Sequence, residues 1–334
     1  MKRAFYKGIL LAAICAFAVL TGCGAFGVSS GTPAPAPGAD EMTVLCIGTA
    51  DAGGTMYPAG DAIAAAFSAA DPAITVNVSA SGGSSDNIKG ISSGQFDLGL
   101  VTGDAAAQAF AGISEYDSDA FSDLRVIGAI YSSISTWIVP ADSDLVYVHD
   151  LGGRSCSIGP AGSSTDLSAR AALESVDLDG EAAARNISIA NGCDLLRQGK
   201  IDAAYGFAGT PISGMASLAK DMPCRFLQYT PEELRKILEE HPYYYDDTIP
   251  AGTYEGQQED VRTFGVKCLL CVSASMDEEL AHHLTEILEQ SAASLAGTYD
   301  FLTLMESSRF RCSDLPIPLH AGARKYYTEI GALE

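Results

Sequence analysis

The sequence predicts an α/β fold with a mainly parallel sheet, divided into two lobes that two long strands join. Three observations lead there. Strand-like and helix-like segments alternate along the body, the rhythm of an α/β protein. Two β-rich runs, Leu124 to Pro140 and Thr263 to Ser273, exceed the usual strand length and lie about one domain apart. Three turns rich in Gly, Ser and Thr each follow a strand and open a helix: residues 49–55, 81–85 and 162–165.

The chain opens with Lys2, Arg3 and Lys7, then an apolar stretch from Ile9 to Leu20. That stretch is too short for a stable bilayer-spanning helix and fits a secretory signal. Leu20-Thr-Gly-Cys23 follows at once and reads as a lipobox, with Cys23 the lipidated residue and residues 1–22 removed. Residues 24–41, with Pro33-Ala-Pro-Ala-Pro37, cannot build a core and read as a flexible tether. The expected location is extracytoplasmic, anchored to the cell membrane by lipid.

The folded body is expected from Met42 onward. Thr43 to Gly48 is an apolar strand, Tyr57 to Ala70 a helix by apolar spacing, and Ile74 to Ser79 a strand. Asp86 to Ser93 reads as a helix and Phe96 to Thr102 as a buried strand. Leu124 to Pro140 is the first crossing strand. Beyond it the rhythm resumes with Ser155 to Gly159 as strand, Asp166 to Ser175 as helix and Asp202 to Phe207 as strand. Thr263 to Ser273 crosses back. Met276 to Ala296 is an amphipathic helix with acids at its start, where the helix dipole favours them. Ala321 to Ile330 is the last helix. The expected lobes are 42–134 plus 272–334 (lobe I) and 135–271 (lobe II).

Composition narrows the function classes. The formal charge is −22, from 42 acidic and 20 basic residues, which disfavours nucleic-acid binding. Beside Cys15 and Cys23, seven cysteines remain, mostly in apolar segments, and read as small buried hydrophobes. Cys193 with Cys224 is the one candidate bridge. Cys268-Leu-Leu-Cys271 has metal-like spacing, but on a strand the two face opposite sides, so no metal or other cofactor is expected. No Ser-His-Asp arrangement, Gly-x-Ser-x-Gly or P-loop Lys is present, and the chain is not read as an enzyme. His282-His283 reads as solvated surface, and Arg170 as the i,i+4 partner of Asp166.

The three turns carry the chemistry. Each presents backbone N–H groups at a helix N-terminus, suited to anionic groups, unless it is simply a capping turn. Tyr205 and Phe207 end a strand and either line a cleft or pack in the core.

Ile47-Gly-Thr-Ala-Asp-Ala-Gly-Gly-Thr-Met-Tyr-Pro58 resembles the opening signature of the TAXI family of TRAP transporter solute receptors. Ser81-Gly-Gly-Ser-Ser-Asp-Asn87, Gly94-Gln-Phe-Asp-Leu-Gly-Leu100, Gly162-Ser-Ser-Thr-Asp166, Ile249-Pro-Ala-Gly-Thr-Tyr-Glu-Gly256 and Leu315-Pro-Ile-Pro-Leu-His-Ala-Gly322 extend it over the body. The resemblance implies a type II periplasmic-binding-protein fold that closes on a ligand such as glutamate, 2-oxoglutarate or another small carboxylate or amino acid. It implies delivery to TRAP membrane subunits, with an ABC transporter or a membrane sensor as the alternative partner. Ligand contacts carried over by motif are Gly53, Gly54, Thr55 and Tyr57; Ser84, Ser85 and Asn87; and Ser163, Thr165 and Asp166. Thr102 and Phe207 complete the expected set. Two departures bear on the ligand: Ala50-Asp51-Ala52 replaces a glycine-richer turn, and Thr102-Gly103-Asp104 stands where the family has Gln-Ser-Asp. Asp51 either favours a ligand carrying an amine or points to solvent.

Overall fold

Thr43–Gly48 forms β1, Ile74–Ser79 β2 and Leu98–Thr102 β3, all pairing in parallel with β1 at the centre. In this computed structural model, residues 42–50, 54–118, 120–178 and 180–333 are described. The expected signal segment, Cys23 and tether, and Asp51 and Gly53 of the first turn, lie outside the described residues. Helix α1 (Met56–Ala70) connects β1 to β2 and α2 (Ser84–Ser93) connects β2 to β3. On α1 the buried residues Met56, Ala59, Ile63 and Phe67 recur at helical spacing, so one stripe packs on the sheet. β3 is buried along its whole length, as a strand covered on both faces must be. Helix α3 (Gly103–Ala111) leaves its end.

β4 (Leu124–Pro140) is one strand of 17 residues, as its run of β-branched and aromatic residues predicts. At about 3.3 Å per residue it spans about 55 Å, enough to serve two lobes. A second unit follows with the same plan as the first. β5 (Ser155–Ser157), α4 (Ser164–Ser175), β6 (Ala183–Arg185), α5 (Ile189–Arg197) and β7 (Ala203–Ala208) place β5 centrally and parallel to both neighbours. Then come α6 (Ser213–Asp221), β8 (Cys224–Phe226), α7 (Pro231–Glu240) and β9 (Tyr245–Ile249). β10 (Val261–Ser273) returns, and α8 (Glu278–Ala296), α9 (Ser308–Cys312) and α10 (Ala321–Glu329) close the chain on the first lobe's side.

The sheet order is β2-β1-β3-β10-β4-β7-β5-β6, with β8 on β4 and β9 on β10. The expected mainly parallel sheet is therefore corrected to a mixed one. Each βαβαβ unit is parallel inside itself, but β10 and β4 run out and back, so they pair antiparallel with each other and with β3 and β7.

Packing divides with the topology. One core draws on residues up to Tyr131 and from Cys268 onward, including Phe67, Leu100 and Leu288. Two others lie on the second unit, around Trp137, Tyr205 and Phe264, and around Ile138, Met215 and Tyr254. By core membership β10 passes from one core to the other between Val266 and Cys268, where its pairing with β3 begins.

All seven body cysteines are free, so the Cys193–Cys224 bridge is not formed. Cys268 and Cys271 are fully buried on β10, and burial pushes the Cys268 thiol up to about 12. Burial of this kind disfavours the thiolate, the form that acts as nucleophile. No group of three or more metal-ligating side chains occurs among the described residues. His282 and His283 pair with Glu329 and Asp71 at 2.8 and 3.0 Å, so that helix face is tied rather than merely solvated. Arg170 meets Asp166 at 2.8 Å, as the i,i+4 spacing predicts. No helix among the described residues is long and apolar enough to cross a membrane.

Candidate functional site

In a parallel βαβαβ unit whose first strand is central, the turns after the first and second strands diverge and leave a crevice at the strands' C-terminal ends. This chain has two such units, and their crevices face each other. Between them is a cavity of about 180 Å³ lined from the β1–α1 turn by Ala50, Gly54, Thr55 and Met56, and from the β2–α2 turn by Ser81, Gly82 and Gly83. Pro160, Ser163, Ser164 and Thr165 line it from the β5–α4 turn, and Ile189 and Ala190 from the β6–α5 turn. Tyr131 of β4 and Phe207 and Ala208 of β7 form the floor.

Four helix N-termini thus reach one cavity. First-turn N–H groups have no intrahelical acceptor, and the dipole of each helix places partial positive charge there. No Asp, Glu, Lys, Arg or His side chain lines the cavity among the described residues. Its polarity comes from hydroxyls and backbone amides. Such a surface is suited to a small anion or zwitterion.

The turns are held by their own side chains. Asn87 Nδ2 donates to the carbonyls of Thr49 and Leu100, both at 2.7 Å, and its Oδ1 accepts from Ser81 Oγ at 2.7 Å. This one side chain locks the turns after β1 and β2 to β3. Gly83, at φ 109° and ψ −151°, occupies backbone space that only glycine adopts readily and starts α2. In the other unit Ser163 Oγ caps α4 by accepting from Asp166 N–H, while the Asp166 carboxylate accepts from Gly162 N–H at 3.0 Å and from Arg170.

The family model for the NMT1-like family matches residues 47–331. The chain belongs to the NMT1-like family. Among solved structures, it resembles the periplasmic aliphatic sulphonate binding protein SsuA of Escherichia coli, at 15% identity and TM-score 0.50, over 86% of this chain and 83% of that one. It also matches the alkanesulfonate-binding protein SsuA of Xanthomonas axonopodis pv. citri, bound to MOPS (18% identity, TM-score 0.47, 88% and 81% covered). A third match is an ancestral arginine-binding protein bound to arginine (15% identity, TM-score 0.47, 79% and 98% covered). This NMT1-like protein has the two-lobed α/β periplasmic-binding-protein fold that the sequence predicts, with the sheet mixed rather than mainly parallel.

Of the expected contacts, Gly54, Thr55, Ser163, Thr165 and Phe207 line the cavity. Gly53 lies outside the described residues. Tyr57, Ser84, Ser85, Asn87, Thr102 and Asp166 are not on the lining. For most of them the reason is local bonding. Ser84 Oγ and Thr102 Oγ1 lie 3.2 Å apart, and Thr102 N–H donates to Ser84 Oγ, which ties α2 to the start of α3. Asn87 and Asp166 spend their polar atoms within the turns. Tyr57 is half-buried on α1. Phe207 both lines the cavity and packs on Tyr244 and Phe264, whereas Tyr205 is core, 4.5 Å from Trp137 and donating to Ser168.

Two contributors escaped the sequence reading. Tyr131 is nearly fully buried, with its ring edge-on to Phe301, and burial holds its hydroxyl protonated well beyond the usual range. The Ser188–Ala190 turn lacks the glycines that marked the other three, yet by its place in the repeat it is the counterpart of Ser81–Gly83. The repeated βαβαβ plan is the signal that would have found it.

Proposed function

We propose that this chain is an extracytoplasmic solute receptor that captures a small carboxylate or amino acid, of the glutamate or 2-oxoglutarate kind, and delivers it to TRAP membrane subunits. The observation that carries this reading is the meeting of four helix N-termini at one cavity with no charged side chain among its described lining residues. At about 180 Å³ it is smaller than the roughly 300–1,000 Å³ of drug-sized ligand sites, which favours an occupant of amino-acid size. An anionic group gains there from amides and dipoles, each helix terminus contributing about 0.3–1 kcal/mol. Among the described residues the cavity lining holds no nucleophile–base pair, which supports binding rather than turnover as the activity.

Gly54, Thr55, Ser163, Thr165, Tyr131 and Phe207 are the proposed contacts, and closure about β4 and β10 the proposed motion. Lobe limits of 42–134 plus 272–334 and 135–271 belong to the same proposal. Lipidation at Cys23 and removal of residues 1–22 would place the receptor at the membrane. Labelled palmitate should enter the chain and be lost in Cys23→Ser.

A thermal-shift screen of amino acids, small carboxylates and sulfonates tests the ligand class. A ligand at one hundred times its Kd stabilises by about 2.7 kcal/mol and raises Tm by several degrees. If no member of the three classes shifts Tm, the reading fails. Crosslinking in the native membrane tests the partner: capture of an ABC permease or a sensor in place of TRAP subunits reassigns delivery.

A further inference from the structure

Hydrogen bonds pass directly from one lobe to the other beside the cavity. Tyr116 OH donates to Ser85 Oγ at 3.1 Å, and Ser85 Oγ donates to the carbonyl of Gly162 at 2.7 Å. Tyr116 is buried, and Ser85 lies nearly so on the first turn of α2. Gly162 belongs to the β5–α4 turn of the opposite unit, where its N–H is already fixed by Asp166. A second crossing runs the other way: the Gly209 N–H, just past β7, donates to Thr55 Oγ1 at 3.2 Å.

A serine hydroxyl has one proton and two acceptor sites. Ser85 gives its proton to Gly162 and accepts from Tyr116, so it has no donor to offer an anionic solute. This changes the role that its Gly-Gly-Ser-Ser motif suggested. We infer that Ser85, oriented by Tyr116, is a closure residue that does not itself select the solute: it clasps the β5–α4 turn and, together with the bond from Gly209 N–H to Thr55, sets how much of the protein is closed. The consequence for binding is specific. Loss of the clasp weakens every solute by the same factor and leaves their ranking unchanged, since the bound conformation is simply less populated.

The inference takes the two-lobed closing motion from the proposed function, but its test needs no solute. Gly209 N–H reports closure directly, because its acceptor, Thr55 Oγ1, lies on the other lobe. Amide exchange of Gly209 is measured in the full chain without ligand, with Leu269 and Leu270 in the core as folding reporters. Thr55→Val, which removes the acceptor, sets the unprotected level. Ser85→Ala is expected to speed Gly209 exchange about five-fold, the population effect of one ordinary buried hydrogen bond, with core amides unchanged. Ser85→Cys, close in size and a poor donor, and Tyr116→Phe should move Gly209 in the same direction. The inference is overturned if Gly209 exchange stays at the wild-type rate in Ser85→Ala and Ser85→Cys. It is equally overturned if core amides accelerate together with Gly209, which would make Ser85 a folding residue. A screen in which no solute is found would sink the receptor reading and leave this result standing.

Discussion

Asp104 is fully buried at the start of α3, where its carboxylate accepts from Tyr244 OH at 2.9 Å and from Ala105 N–H at 2.8 Å. No cation pairs with it among the described residues, and burial raises its pKa above the ordinary carboxylate range. Its folded-state pKa therefore exceeds the unfolded one, and the folded protein holds the proton more tightly. Stability should fall as pH rises from the ordinary aspartate pKa through the folded value, and level off above it. Asp104→Asn should remove that slope and raise Tm at neutral pH, measured by melts across pH. Asn87 makes the opposite prediction. Asn87→Ala removes the donor to the carbonyls of Thr49, which keeps Ser81 Oγ at 2.8 Å, and Leu100, and should cost about 1–3 kcal/mol by denaturant titration, with binding lost alongside. Thr165→Val, on the cavity wall, should weaken binding and leave stability nearly unchanged. At this scale, local chemistry was legible and distant chemistry was not. The Asp166–Arg170 pair follows from spacing alone. Ser85 meeting Gly162, 77 residues away, follows only from tertiary approach.

Strands and helices were legible where pattern and burial agree. β4 stands out as an uninterrupted β-rich run because it is buried almost throughout, and α1 because its apolar stripe is regular. β6 was not legible: Ala183–Arg185 is three exposed residues, paired only at one edge, with nothing apolar to show. Missing it meant missing the α5 N-terminus as the fourth turn. Strand direction was misjudged for a related reason. Alternating strands and helices signal parallel units, but the two strands that leave and re-enter a lobe must oppose each other. Gly83 shows how an element's start depends on one backbone angle. Gly83→Ala forces a Cβ into the region near φ 109° and should cost about 1–3 kcal/mol, seen as a lowered denaturation midpoint with α2's first turn exchanging faster.

The described body uses one βαβαβ plan twice and turns the two crevices toward each other, so that both units line one cavity. In that arrangement no charged side chain lines the cavity among the described residues, despite a strongly acidic chain. Acids populate the outer surface, while the amides of four helix starts define the interior potential. The fold was readable because it is built from repeated, strongly patterned units. The occupant was not, because backbone amides recognise charge and shape without leaving a diagnostic side chain in the sequence.

The central claim, capture of a small anion by helix N-termini, is tested most directly by calorimetric titration with glutamate and 2-oxoglutarate against their methyl esters. The account predicts saturable one-to-one binding of at least one acid, with affinity for its ester reduced by ten-fold or more, since each lost charge-assisted hydrogen bond is worth about 1.5–3 kcal/mol. Equal affinity for acid and ester, or no binding of either acid, would contradict it.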